Sequence, residues 1–188
     1  MTDKTPQIVL WKSAFGDDYI QRNQVDPIPR IPGFKAAVGG LKIQSALEVG
    51  CNRGHNLDVL KTLGIGQLAG LEPNDMARAE ASKRLPDATF KDGVAMDMPF
   101  DDESYELVFT CGVLNHVAPV DLPATLAEMY RISSRYLLSL EYFAEQPTEV
   151  TYRGHTQTLW KCDFGRLWQS QHPDLQLVRS GHLNKAQV

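Results

Sequence analysis

The residues best placed to do chemistry stand in one short stretch, Leu47-Glu48-Val49-Gly50-Cys51-Asn52-Arg53-Gly54-His55-Asn56. Gly50 and Gly54 can take backbone angles that other residues avoid, and they let a ligand approach the main chain closely. Eighteen residues beyond Gly54 stands Glu72, where a carboxylate can accept hydrogen bonds from both hydroxyls of a ribose. A dinucleotide fingerprint would read G-x-G-x-x-G, whereas this loop reads Gly50-x-Asn52-x-Gly54, so the glycine that admits a pyrophosphate is missing. That disfavours an NAD(P)-dependent reductase. No G-x-x-x-x-G-K-[ST] run is present, which disfavours a nucleoside triphosphate. Glu48 adds negative charge beside the loop and suits a cationic ligand better than a diphosphate.

Four segments in order strengthen this reading. Glu48-x-Gly50-x-Asn52-x-Gly54 is followed by Gly70-Leu71-Glu72-Pro73-Asn74, then by the stretch Asp97 to Phe109, then by Cys111-Gly112-Val113-Leu114-Asn115-His116-Val117. Together they resemble class I S-adenosylmethionine-dependent methyltransferases. The flanks carry a narrower likeness: Phe15 to Asn23, Glu141-Tyr142-Phe143, Tyr152-Arg153-Gly154-His155 and Leu159 to Phe164 look like the methylases associated with pseudaminic acid biosynthesis. That likeness runs from about Trp11 to Val178.

The resemblance implies S-adenosyl-L-methionine as cofactor and S-adenosylhomocysteine as product. It implies a methionine end over Glu48, Gly50, Cys51, Asn52 and Gly54, a ribose on Glu72 beside Pro73, and an adenine along Gly93, Val94 and Ala95. Val94 stands where many relatives carry an Asp, so backbone carbonyls or Asp97 must serve the adenine amino group. Cys111 and Gly112 would offer backbone contacts near the donor's amino group. Tyr19 and Arg22, three apart, would share a face of a lid helix, with Arg22 on the donor's carboxylate and Tyr19 over the sulfonium. His116 and Glu141 are the catalytic candidates. Histidine can take a proton from a hydroxyl acceptor, or merely orient an amine. Tyr152, Arg153 and His155 form the candidate grip on a sugar's carboxylate or phosphate. His155, His172 and His182 are not spaced as a metal set, and no metal is expected. The implied function is methyl transfer to a small molecule such as a sugar of nonulosonic acid biosynthesis. A donor-binding accessory protein without turnover is the alternative.

The elements that must position these groups follow from periodicity. Strands are expected at 45–49, 67–71, 88–91, 105–110, 135–143 and 175–178. Helices are expected over 34–38, from Leu57 to Leu63, and over 75–85, 122–132 and 164–171. Strand and helix alternating at this spacing imply an α/β, Rossmann-like fold with a mostly parallel sheet covered by helices on both faces. The run Asp26-Pro27-Ile28-Pro29-Arg30-Ile31-Pro32 reads as a break, leaving an N-terminal lid or cap segment, 1–32, and a donor-binding domain, 33–188. Class I methyltransferases usually end in an antiparallel strand pair. Only Leu175–Val178 offers one member, so the expectation is either a truncated chain or a partner over the exposed sheet edge, and the second alternative predicts a homodimer.

Composition sets the outer limits. The chain has 188 residues, 43% of them hydrophobic and 22% charged, values of a globular domain. A net charge of −4 disfavours a nucleic-acid partner. No apolar run is long enough to span a membrane. Three scattered cysteines, Cys51, Cys111 and Cys162, argue against a disulfide framework and for a reduced, cytoplasmic setting.

Overall fold

A computed structural model describes residues 5–23 and 26–183. Five parallel strands form the central sheet: β1 (Ser45–Val49), β2 (Gln67–Leu71), β3 (Thr89–Lys91), β4 (Tyr105–Cys111) and β5 (Ser133–Leu140), in the spatial order β3-β2-β1-β4-β5. All five residues of β1 are buried, as expected of a central strand covered on both faces. The chain leaves β1 toward β2 and β3, then crosses back to β4 on the other side. The crevice at the carboxyl ends of β1 and β4 is therefore the topological switch point where ligands of such sheets bind.

Side chains alternate across the strands and build one core on each face. Leu47 and Val49 of β1 join Val108, Leu126, Met129 and Trp168 on the face covered by α6 (Leu122–Ile132) and α7 (Phe164–Gln171). Ala46 joins Leu107 and Phe109, with Phe34 of α3 (Ile31–Val38) and Leu57 and Leu60 of α4 (His55–Thr62), on the other face. Glu48 lies two residues from Ala46, so its carboxyl turns toward α3 and α4. The remaining crossover helix, α5 (Asp75–Arg84), is capped by the Asn74 side chain, which accepts from the Ala77 N–H at 3.0 Å.

Two short helices, α1 (Pro6–Trp11) and α2 (Ala14–Arg22), precede the sheet. They are tied to the end of β2 by Asn74, whose Nδ2 donates to Trp11 O at 3.0 Å and to Asp17 Oδ1 at 2.9 Å. The proline-rich run starts helices rather than ending them. Pro29 lies in a 3₁₀ turn, Ile28–Arg30, and Pro32 in the first turn of α3, where a missing N–H costs nothing. The boundary expected after residue 32 thus falls inside α3. Two further differences lie beyond β5. A two-stranded antiparallel sheet, β6 (Thr148–Glu149) and β7 (Trp160–Lys161), was not expected from sequence. Leu175–Val178 forms no strand, and among the described residues nothing pairs with the outer edge of β5. Residues 1–4, 24–25 and 184–188, which belong to the expected lid and C-terminal tail, lie outside the described residues.

Candidate functional site

The loop after β1 is built on left-handed backbone. Gly50 has φ 70°, Asn52 φ 48° and Gly54 φ 72°. At Gly50 the requirement is strict, because a Cβ there would sit 2.7 Å from Val113 Cγ2 as well as being strained. Asparagine is among the few other residues that tolerate this region, which accounts for Asn52. The loop is held to β2 by the Gly50 and Cys51 N–H groups, which both donate to Leu71 O, at 2.8 and 3.0 Å. Gly54 opens α4 as its N-cap and does not itself reach the crevice wall.

Glu72 ends β2 in the same crevice. Its Oε2 accepts from Asn52 N at 2.8 Å and its Oε1 from Asn74 N at 2.9 Å, so one carboxyl clasps the glycine loop and the N-cap of α5 together. Burial pushes its pKa up to about 7, against the pull of those two N–H groups. Glu48 is only 1% exposed, and burial pushes it up to about 8 despite a hydrogen bond from Asn56 and the nearby Arg30. Burial likewise lifts the Cys111 thiol to about 12, which leaves no thiolate there for nucleophilic work.

Most of the expected site residues line this one crevice: Tyr19, Glu48, Gly50, Cys51, Asn52, Glu72, Pro73, Gly93, Val94, Ala95, Cys111, Gly112, His116, Glu141 and Tyr152. Over it sits an aromatic roof. The Trp11 ring stands edge-on to Tyr19 at 5.2 Å and to His116 at 5.0 Å, and His116 meets Tyr152 at 5.2 Å. Burial raises the Tyr19 hydroxyl to about 12, so it remains a neutral phenol. His116 Nδ1 lies 2.6 Å from Thr158 O. A carbonyl only accepts, so Nδ1 carries the proton and Nε2 of the neutral ring keeps its lone pair. Burial lowers the pKa of His116, which favours that neutral ring.

Several expected roles change. Arg22 is exposed, lies 3.8 Å from Asp18, and does not line the crevice; Gly16 and Ile20 form the inward face of α2. Arg30, from the proline-rich run, does line it, bonded there to Asn56 of α4. Nothing local in the sequence marks that pair, since Arg30 lies 26 residues from Asn56 and the fold alone joins them. Arg153 and His155 are exposed and stay outside the crevice. They occupy a tight turn, with Arg153 at φ 51° and Gly154 at φ 83°, closed by paired hydrogen bonds of 2.9 Å between Tyr152 and His155. Only Tyr152 of that trio faces inward. Asp97 is exposed as well and does not reach the adenine end of the crevice. Glu141 is engaged as a cap. Its Oε1 accepts from Val113 N and Leu114 N, both at 3.1 Å, and its Oε2 from Asn115 N at 3.4 Å. It therefore positions the turn that carries His116. Among the described residues no group of three or more His, Cys, Asp or Glu side chains is arranged to hold a metal ion.

Residues 47–135 match the model of a methyltransferase domain family. An uncharacterized methyltransferase of Synechocystis sp. is 28% identical over 89 residues, which cover 47% of this chain and 42% of that protein. The chain thus spans less than half the length of that curated relative. Among solved structures, a chain of the complex between the Haloferax volcanii Trm112 methyltransferase activator and a methyltransferase superposes with a TM-score of 0.67 at 20% identity, covering 84% of this chain and 72% of that one. A SAM-dependent methyltransferase from Methanosarcina mazei gives 0.60 at 18% identity, covering 71% and 80%. These likenesses establish the Rossmann-like methyltransferase fold.

Proposed function

We propose that this protein is an S-adenosylmethionine-dependent methyltransferase acting on a small molecule, with S-adenosylhomocysteine as the second product. One observation carries the reading: the loop at the switch point offers left-handed glycines and a carboxyl, Glu72, at the ribose distance along the chain, inside a domain matched by the methyltransferase family. The residues also fit the group. Glu48 Oε2 and Arg30 Nε are buried polar atoms without partners at the crevice, and Gly50 leaves room that a side chain would fill.

The bound donor supplies a methyl group on a positively charged sulfur, so no covalent enzyme intermediate is required. The chain supplies alignment and dryness. Trp11, Tyr19 and Tyr152 screen the crevice from water, and Glu141 fixes the turn that presents His116. His116 Nε2 would take the proton of a hydroxyl acceptor, while Thr158 O holds the opposite N–H; the bound donor would supply the methyl group and leave as its neutral thioether. Among the described residues no helix is long and apolar enough to cross a membrane, and the three cysteines are free thiols, which supports a reduced, cytoplasmic setting. The flanking motifs support a narrower reading, an acceptor in a sugar pathway such as pseudaminic acid biosynthesis. The bare outer edge of β5 supports a homodimer.

Turnover of methyl-labelled S-adenosylmethionine over a panel of sugar hydroxyl and amine acceptors tests the activity. A methylated hydroxyl product is expected, with His116→Ala slowing it by roughly 10²-fold or more, the scale of a lost base. Binding of the donor with no transfer to any acceptor would leave the accessory-protein alternative standing. Undiminished turnover by His116→Ala would remove the base.

A further inference from the structure

The side chain of Asn74 does more than its helix asks of it. Its Oδ1 accepts from the Ala77 N–H at 3.0 Å and caps α5. Serine, threonine or aspartate would cap as well, without the two N–H donors of an amide. Nδ2 spends both of those donors on the N-terminal helices, one on Trp11 O at 3.0 Å and one on Asp17 Oδ1 at 2.9 Å. The joint is buried, with Asn74 only 5% exposed. It is also tight, since a Cβ at Gly16 would lie 2.0 Å from Trp11 O and 3.0 Å from Asn74 Nδ2. The other polar ties from these helices to the body, among the described residues, are Gln7 Nε2 to Gln157 O at 2.9 Å and Lys12 to Asp92 at 3.3 Å. Both are exposed, and ties of that kind contribute little.

The joint connects two parts of the crevice. On one side the Asn74 N–H donates to Glu72 Oε1 at 2.9 Å. On the other, the Trp11 ring stands edge-on to His116 at 5.0 Å. We infer that Asn74 is a positioning residue for methyl transfer: its amide holds the Trp11 ring against His116, and so fastens the roof of the acceptor side to the turn that carries Glu72. The inference rests on the methyltransferase reading above and gives it a residue that acts through Trp11 rather than on the acceptor. What the contact supplies is dryness around a histidine whose Nε2 must stay unprotonated to accept a proton. The rings that face His116 are those of Trp11 and Tyr152. Burial lowers its pKa, while the Thr158 carbonyl raises it, so its titration reports how well that cover is kept.

Magnetic-resonance titration of the imidazole, assigned with His116→Gln, reads this without an acceptor. In the wild type His116 should titrate below 6.5. Asn74→Ser keeps an N-cap but lacks the reach and the second donor of the amide. Gly16→Ala pries the same joint from the other side and leaves Asn74 intact. Both should move the His116 pKa up toward 6.5, by about 0.5 or more, as water returns to the ring. Amide exchange should show α5 and the central sheet as protected as before. Gly16→Ala carries the comparison if Asn74→Ser fails to fold. A His116 titration unchanged in either folded variant overturns the inference. Protection lost from α5 and the sheet alike also overturns it, since Asn74 would then be structural only. Calorimetry with S-adenosylhomocysteine and the wild type separates the two readings. A chain that does not bind it overturns the donor reading, and the role in methyl transfer with it, whatever His116 does.

Discussion

Three carboxyls, the buried Glu48 and Glu72 and the partly buried Glu141, stand at the carboxyl ends of strands, and none has an ion-pair partner among the described residues. Burial holds their pKa values at about 8, 7 and 7, against an ordinary 4.5. The folded chain therefore keeps protons that the unfolded chain releases, and stability falls as pH rises from about 4.5 until it passes about 8. His55 and His116 are shifted down, so they lose stability only as pH drops below 6.5 and are silent above it. Between pH 6.5 and 8 the donor-free protein should lose roughly 3 kcal/mol in urea unfolding, since one pKa unit is worth about 1.4 kcal/mol and all three carboxyls contribute. Glu48→Gln should flatten that slope, and a stability that is level or rising over this window would refute the assignment. At this scale the sequence was a good guide where the chemistry is local. Glycine, asparagine and a carboxyl at motif spacing point to one loop whatever surrounds them. It misled where a residue's direction is set by packing. Spacing puts Tyr19 and Arg22 on related helix faces, but the buried Gly16 and Ile20 decide which face turns inward, and Arg22 ends up in solvent. In the Tyr152–His155 turn, left-handed backbone at Arg153 and Gly154 carries Arg153 and His155 away from the crevice.

Elements were legible in proportion to how much core they build. The ranges 45–49, 67–71, 122–132 and 164–171 were read from apolar pattern alone and match β1, β2, α6 and α7, because each has a face that must be buried. The prolines misled, since the same ring that stops a helix also starts one. Pairs as short as β6 and β7 leave almost no pattern, and α1 buries no residue fully. Leu175–Val178 alternates like a strand, yet Leu177 and Val178 are 68% and 60% exposed and pair with nothing. The outer edge of β5 consequently offers its N–H and C=O groups to any strand that meets it, beside the exposed rings of Tyr142 and Phe143. If two copies meet along that edge, sedimentation at micromolar concentration should show twice the 21.0 kDa chain mass. A single species at 21.0 kDa would count against the dimer.

At the scale of the whole molecule, topology does what no single residue can. The strand order turns back between β1 and β4 and so opens one crevice, and the ends of β1, β2, β4 and β5 deliver a glycine cradle, three carboxyls and a histidine to it. The N-terminal helices close it with aromatic rings through the Asn74 clasp. The alternation of strands and helices made this plan readable in advance. The roof was harder to foresee, because its contacts join Trp11 to His116 across the sheet's length of chain. The methyltransferase proposal requires Glu72 to hold the sugar of an adenosine-linked sulfur compound. Titrating S-adenosylhomocysteine into the wild-type chain and into Glu72→Ala measures that directly. Saturable binding by the wild type, weakened by about 1–3 kcal/mol in the variant, is the predicted result. No binding by the wild type, or equal affinity in the two proteins, would contradict it.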